Sequence, residues 1–74
     1  MSQTDKIIEK MKNQPNGIRP DEASKVLEYF GYRIDRQQGS HMQFINGKGE
    51  VITVPNKTPL RAVYVKDILR RIGK

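Results

Sequence analysis

Seventy-four residues carry 14 Lys and Arg against 8 Asp and Glu, a net charge of +6, with no cysteine. A chain this short makes one domain and buries only about 60% of its unfolded surface, which leaves no room for a deep substrate cavity beside a separate scaffold. Disulfide frameworks and thiolate metal sites are excluded, and no apolar run approaches the roughly 18 residues of a membrane span.

The opening Met1-Ser2-Gln3-Thr4-Asp5 lacks the charged-then-apolar layout of a secretory signal, so the expectation is a cytoplasmic protein. A short helix is predicted over 5–12, capped by Thr4, with Ile7, Ile8 and Met11 on one side. Asn13-Gln14-Pro15-Asn16-Gly17 reads as a loop. Pro20 suits the first position of a second helix, and Asp21 and Glu22 suit its first turn. Ala23, Val26, Leu27 and Phe30 make a helical stripe, and Gly31 closes the helix.

The apolar period then changes from 3.6 to 2. Tyr32, Ile34 and Arg36 alternate with Arg33, Asp35 and Gln37 in a first strand, and Gln38-Gly39 turns the chain. Met42 and Phe44 alternate with His41, Gln43 and Ile45 in a second strand. Asn46-Gly47-Lys48-Gly49 is a hairpin signal whose Asn and two Gly accept positive φ. Glu50 to Val54 forms a third strand, stopped by Pro55, and Lys57-Thr58-Pro59 is a loop. A last helix is predicted from about Ala62 to Ile72, with Val65, Ile68, Leu69 and Ile72 buried and Lys66, Arg70 and Arg71 outside. The expected architecture is α+β, in one domain over 1–74. An N-terminal extension with a short helix over 1–19 precedes an α-β-β-β-α core over 20–74. The core has a three-stranded antiparallel sheet with helices on one face. The double-stranded-RNA-binding type of fold has this order of elements, although order alone says little about function.

Charge is uneven along the chain. Residues 1–31 hold five basic and five acidic side chains, whereas residues 32–74 hold nine basic and three acidic. The whole excess lies beside His41, the sole histidine, and such asymmetry suits a polyanionic partner. Imidazole is the side chain whose charge changes between pH 5 and 8. RNA supplies its own nucleophile in the 2′-hydroxyl, so a proton shuttle in a cationic field is enough to cleave it, with neither a metal nor a cofactor. Strand alternation points His41 and Gln43 away from the core side of Met42 and Phe44. Gly39 permits the tight turn before His41, and Ser40 is placed to hold that loop by a hydroxyl-to-backbone bond. Arg33, Arg36, Lys48 and Lys57 are the cations expected around RNA. Arg33 and Arg36 are at odd spacing and fall on opposite faces unless the strand bulges. Tyr29 and Tyr64 read as rim residues and Tyr32 as a core edge. Gly39-Ser40-His41-Met42 also spells a cleavage remnant of some expression tags. Here it lies mid-chain and continues an apolar pattern on both sides, so it is read as native.

Taken together, four runs resemble the HicA toxin family. They are Leu27-Glu28-Tyr29-Phe30-Gly31-Tyr32, Arg36-Gln37-Gln38-Gly39-Ser40-His41-Met42-Gln43-Phe44, Ile52-Thr53-Val54-Pro55 and Val63-Tyr64-Val65-Lys66-Asp67-Ile68-Leu69. The likeness covers about residues 20–73. It implies a double-stranded-RNA-binding-like fold and a small mRNA interferase of a type II toxin–antitoxin module that cleaves mRNA without a metal and halts translation. His41 matches the family's catalytic histidine. The implied partners are mRNA and a HicB-type antitoxin that covers the active site; no membrane and no small-molecule cofactor is implied. Many members carry a further histidine shortly after the Pro that ends the third strand, whereas Pro55-Asn56-Lys57 has none. Lys57 supplies charge there but exchanges protons poorly near neutral pH. Two other readings use the same residues: a non-catalytic RNA-binding module, with His41 one contact among several, and a small basic regulatory protein that docks an acidic partner.

Overall fold

The computed structural model describes residues 3–74. Three helices, α1 (Gln3–Asn13), α2 (Pro20–Tyr29) and α3 (Ala62–Ile72), accompany three strands, β1 (Arg33–Gln38), β2 (His41–Ile45) and β3 (Val51–Pro55). The sheet is an antiparallel meander in the order β1-β2-β3. The class is α+β, and the element order after α1 is α-β-β-β-α as expected.

A single core explains why the chain folds this way. The stripes Ile7, Ile8 and Met11 of α1, Ala23, Val26 and Leu27 of α2, and Val65 and Ile68 of α3 are all buried. They meet Met42 and Phe44 of β2 and Ile52 and Val54 of β3. Successive strand side chains point to opposite faces, so the helices lie over one face and leave the other open. Tyr32 is buried at the entry to β1, and Phe30, Leu69 and Ile72 pack partly against the core.

Several local expectations shift. Thr4 lies inside α1 rather than capping it. In the β2–β3 turn only Gly49 takes positive φ; Asn46 acts through its side chain, whose Oδ1 accepts the Lys48 and Glu50 amides at 2.9 Å each. That side-chain bond mimics a backbone turn and needs no positive φ at Asn46. The third strand runs one residue later than expected because Glu50 belongs to this turn. Gly31, at φ +91°, lets the Tyr32 amide reach back to the Leu27 carbonyl at 2.9 Å and seals the end of α2.

Two buried residues carry no periodic signal. Ile18 and Leu60 sit in loops, yet both are fully buried, and the Leu60 amide donates to the Ile18 carbonyl at 2.8 Å. This bond pins the segment after β3 to the segment before α2.

A second tie joins α1 to α2. The Glu22 carboxylate accepts from Lys10 Nζ at 3.1 Å and from the Arg19 amide at 3.0 Å. Burial alone would raise the Glu22 carboxyl. The Arg19 amide bond and the Lys10 and Arg19 charges outweigh burial and hold it below the usual glutamate value. A carboxyl lowered in the folded state contributes stability above its unfolded pKa near 4.5 and loses it as pH falls through the lower folded value. Glu22→Gln is therefore expected to cost about 1 kcal/mol at pH 7, since the Lys10 end is partly solvated. The difference from wild type should shrink below pH 4.5, as read by denaturant melts; a pH-independent difference would show that the charge is not responsible.

Candidate functional site

The ladder registers divide the sheet into two faces, because directly opposed residues share a face. On the covered face, Phe44 stands between Ile34 and Ile52, and Met42 between Gln37 and Val54. On the open face, His41 stands between Gln38 and Pro55, Gln43 between Arg36 and Thr53, and Ile45 between Arg33 and Val51.

The pairing of β1 with β2 shifts between Ile34 and Arg36, with Asp35 as the extra residue. One inserted residue changes the parity of the strand. The bulge therefore brings Arg33 and Arg36 to the same face, the open face that His41 occupies. Both arginines are exposed, so neither packs its stem across the core edge. β1 is exposed along its whole length, and even Ile34 is 49% exposed despite opposing Phe44.

His41 begins β2 directly after the two-residue turn Gly39–Ser40. Gly39 takes φ +57° at the first turn position, which a tight hairpin of this kind requires. The turn lies one residue later than Gln38-Gly39, since Gln38 still pairs with His41. Ser40 ties the loop through its carbonyl oxygen, which accepts the Asn56 amide, rather than through its hydroxyl. That bond continues the β2–β3 pairing past Pro55 and draws the following loop toward His41.

The result is a depression of about 280 Å³ lined by Ser40, His41, Pro55, Lys57, Pro59, Leu60, Arg61 and Tyr64. Of the residues expected at the site, Ser40, His41 and Lys57 are brought together. Gly39 shapes the turn without lining the depression. Arg36 lies one row along the open face, and Arg33 a further row away. Lys48 is in the turn beyond Ile45, at the opposite end of the sheet; the span of β2 alone puts it more than about 13 Å from His41. Arg61 and Tyr64 are additions that sequence periodicity missed. Arg61 immediately precedes α3 and Tyr64 lies in its first turn; the sequence placed Tyr64 only as a rim residue and gave Arg61 no signal.

Charge pairing sharpens the picture. Lys10 and Arg19 are committed to Glu22, and Arg70 and Arg71 to Asp67; Arg71 also donates to the Val51 carbonyl at 3.3 Å. The expected basic side of α3 is thus partly neutralised. Among the described residues Arg33, Arg36, Lys48, Lys57 and Arg61 form no ion pair. Of these, Lys57 and Arg61 line the depression, and Arg36 and Arg33 follow along the open face. No group of three or more His, Asp or Glu side chains suited to a metal occurs among the described residues, and no described helix is long and apolar enough to cross a membrane.

Chemically, the arrangement offers one exposed imidazole, at least two unpaired cations and an apolar wall of proline, leucine and tyrosine. This suits a phosphodiester better than a neutral metabolite. A family model described as HicA toxin of bacterial toxin-antitoxin matches residues 20–74. No curated protein and no solved structure matches the chain.

Proposed function

The chain belongs to the HicA toxin family of bacterial toxin–antitoxin modules, and on that premise we propose that it is a metal-independent mRNA endonuclease in which His41 moves the proton. Family membership makes it the toxin of such a module, with an antitoxin as partner. The observation that carries the nuclease reading is His41 itself, an exposed imidazole set in a depression with Lys57 and Arg61.

In the proposed reaction the 2′-oxygen of RNA attacks the adjacent phosphorus. The O2′–P bond forms and the P–O5′ bond breaks. The 2′-hydroxyl loses a proton and the departing 5′-oxygen gains one, so no co-reactant is consumed. His41 exchanges one of these protons and solvent at the open depression exchanges the other. Lys57 stabilises the charge that builds on the phosphoryl oxygens, a role that needs position rather than proton transfer. Arg36 and Arg33 hold the strand along the open face, and Lys48 adds a remote contact beyond them. A HicB-type antitoxin would neutralise the protein by covering the depression, and acidic groups would meet the unpaired cations there. Translation stops because message is lost.

The purified chain, incubated with single-stranded RNA in EDTA, is expected to yield fragments ending in 2′,3′-cyclic phosphate. RNA 2′-O-methylated throughout and DNA of the same sequence should survive. Intact RNA at high enzyme concentration would overturn the nuclease reading, and cleavage of the methylated strand would overturn the 2′-hydroxyl mechanism.

A further inference from the structure

We infer that the His41 depression takes a single unpaired nucleotide, whose base stacks on Tyr64 and whose phosphate is held by Arg61, so that the protein acts on single-stranded rather than duplex RNA. The inference rests on the nuclease reading and specifies the form of RNA that the site accepts.

The argument begins with the walls. The lining is of two kinds, the charged or titratable His41, Lys57 and Arg61 and the apolar or aromatic Pro55, Pro59 and Tyr64. A phosphate needs only the first kind. The second kind is useful to a ligand with an apolar flat surface, and in RNA that surface is the face of a base. Bases within a duplex are stacked and cannot offer a face to an aromatic ring, whereas unpaired bases can be splayed out and stacked on one. The volume of about 280 Å³ lies just below the usual range for organic-ligand sites and is of the size of one nucleotide.

Tyr64 is suited to this role by its exposure. It is 37% exposed, in contrast to Tyr32, which the core buries. No ring stacks on it among the described residues, while Tyr29 already meets Phe30 edge-on at 5.3 Å. Arg61 immediately precedes α3, with extended backbone at φ −71° and ψ 148°. Its guanidinium forms no ion pair and caps no helix amide. A planar, permanently charged fork matches two phosphoryl oxygens, which a lysine does not. The resemblance to a duplex-binding fold concerns the order of elements, and order does not determine what a surface accepts.

The test separates stacking from cleavage by using the His41→Ala protein for binding. The probe is a short single-stranded RNA carrying one 2-aminopurine, compared with the same strand annealed to its complement. Fluorescence quenching on binding is expected with the single strand, with duplex affinity at least about 10-fold weaker. Tyr64→Ala in the His41→Ala background should abolish the quenching and weaken binding roughly 10- to 100-fold, and Tyr64→Phe should preserve both. Arg61→Gln should weaken binding and flatten its salt dependence while leaving the quenching of bound probe intact. Equal affinity for duplex, or quenching unchanged in Tyr64→Ala, would overturn the inference. Retained thermal melting of Tyr64→Ala distinguishes a lost contact from a lost fold. If RNA is cleaved by the otherwise wild-type chain and equally well by its Tyr64→Ala variant, this inference fails and the nuclease reading stands. If the single strand binds and quenches but is never cut, the reverse holds.

Discussion

His41→Ala is expected to lower RNA cleavage by about 10²- to 10⁴-fold and to abolish growth arrest when the chain is expressed without its antitoxin. The magnitude is that of one general acid or base, and His41 is the only imidazole in the chain. No second proton-transfer group of that kind lines the depression to mask the loss. The fold should be unaffected. His41 is exposed, and the core on the other face of β2 consists of Met42 and Phe44, so the change in stability should stay within about 0.5 kcal/mol. Paired measurements of growth, RNA integrity and thermal melting decide the matter. A variant that is as toxic and as active as wild type would remove His41 from the mechanism. A variant that melts far earlier would make the loss structural.

A chain reduced to residues 20–74 is expected not to fold cooperatively, although the family model matches that span. Ile7, Ile8 and Met11 are buried in the common core, and Ile18 is fully buried in the loop that follows α1. Burying each such side chain is worth roughly 1.5–3 kcal/mol, so the four together approach the 5–15 kcal/mol that stabilises an ordinary domain. The truncation would also remove the Ile18 carbonyl that holds Leu60 beside the His41 depression. The extension therefore supports the site without contributing to it. Met11→Ala is the milder test, with an expected loss of about 2–5 kcal/mol. Cooperative melting of 20–74 at the full-length temperature would show that the core closes without α1.

What could be read from the sequence was what is local. The stripe Ala23, Val26, Leu27 needs only a 3.6-residue period, and the helix it predicts begins at Pro20 as expected. The inward positions Met42 and Phe44 need only alternation. What escaped depends on partners distant in sequence. The bulge at Asp35 is a property of β1 pairing with β2, and no residue of β1 announces it. Ile18 and Leu60 are buried because two loops meet, so neither belongs to a periodic pattern. Arg61 and Tyr64 share a depression with His41, and the backbone bond from Asn56 to Ser40 that holds the loop after β3 beside it joins residues 16 apart. Lys48 shows the converse: a positive charge near His41 in sequence is far from it along an extended sheet.

The extra residue in β1 has a consequence for length variation. If Asp35 were deleted, Ile34 and Arg36 would become neighbours and would still oppose Phe44 and Gln43, the partners they have now. The strand would become regular and every side chain would keep its face. A deletion at Arg36 would also be absorbed, with Asp35 taking its place opposite Gln43, and a deletion at Gln37 would put Arg36 opposite Met42 on the covered face, so either would cost the open face an arginine. Lineages of this chain should thus be able to lose a residue at position 35 while keeping both arginines on the face of His41, whereas a loss at 36 or 37 would leave that face with Arg33 alone.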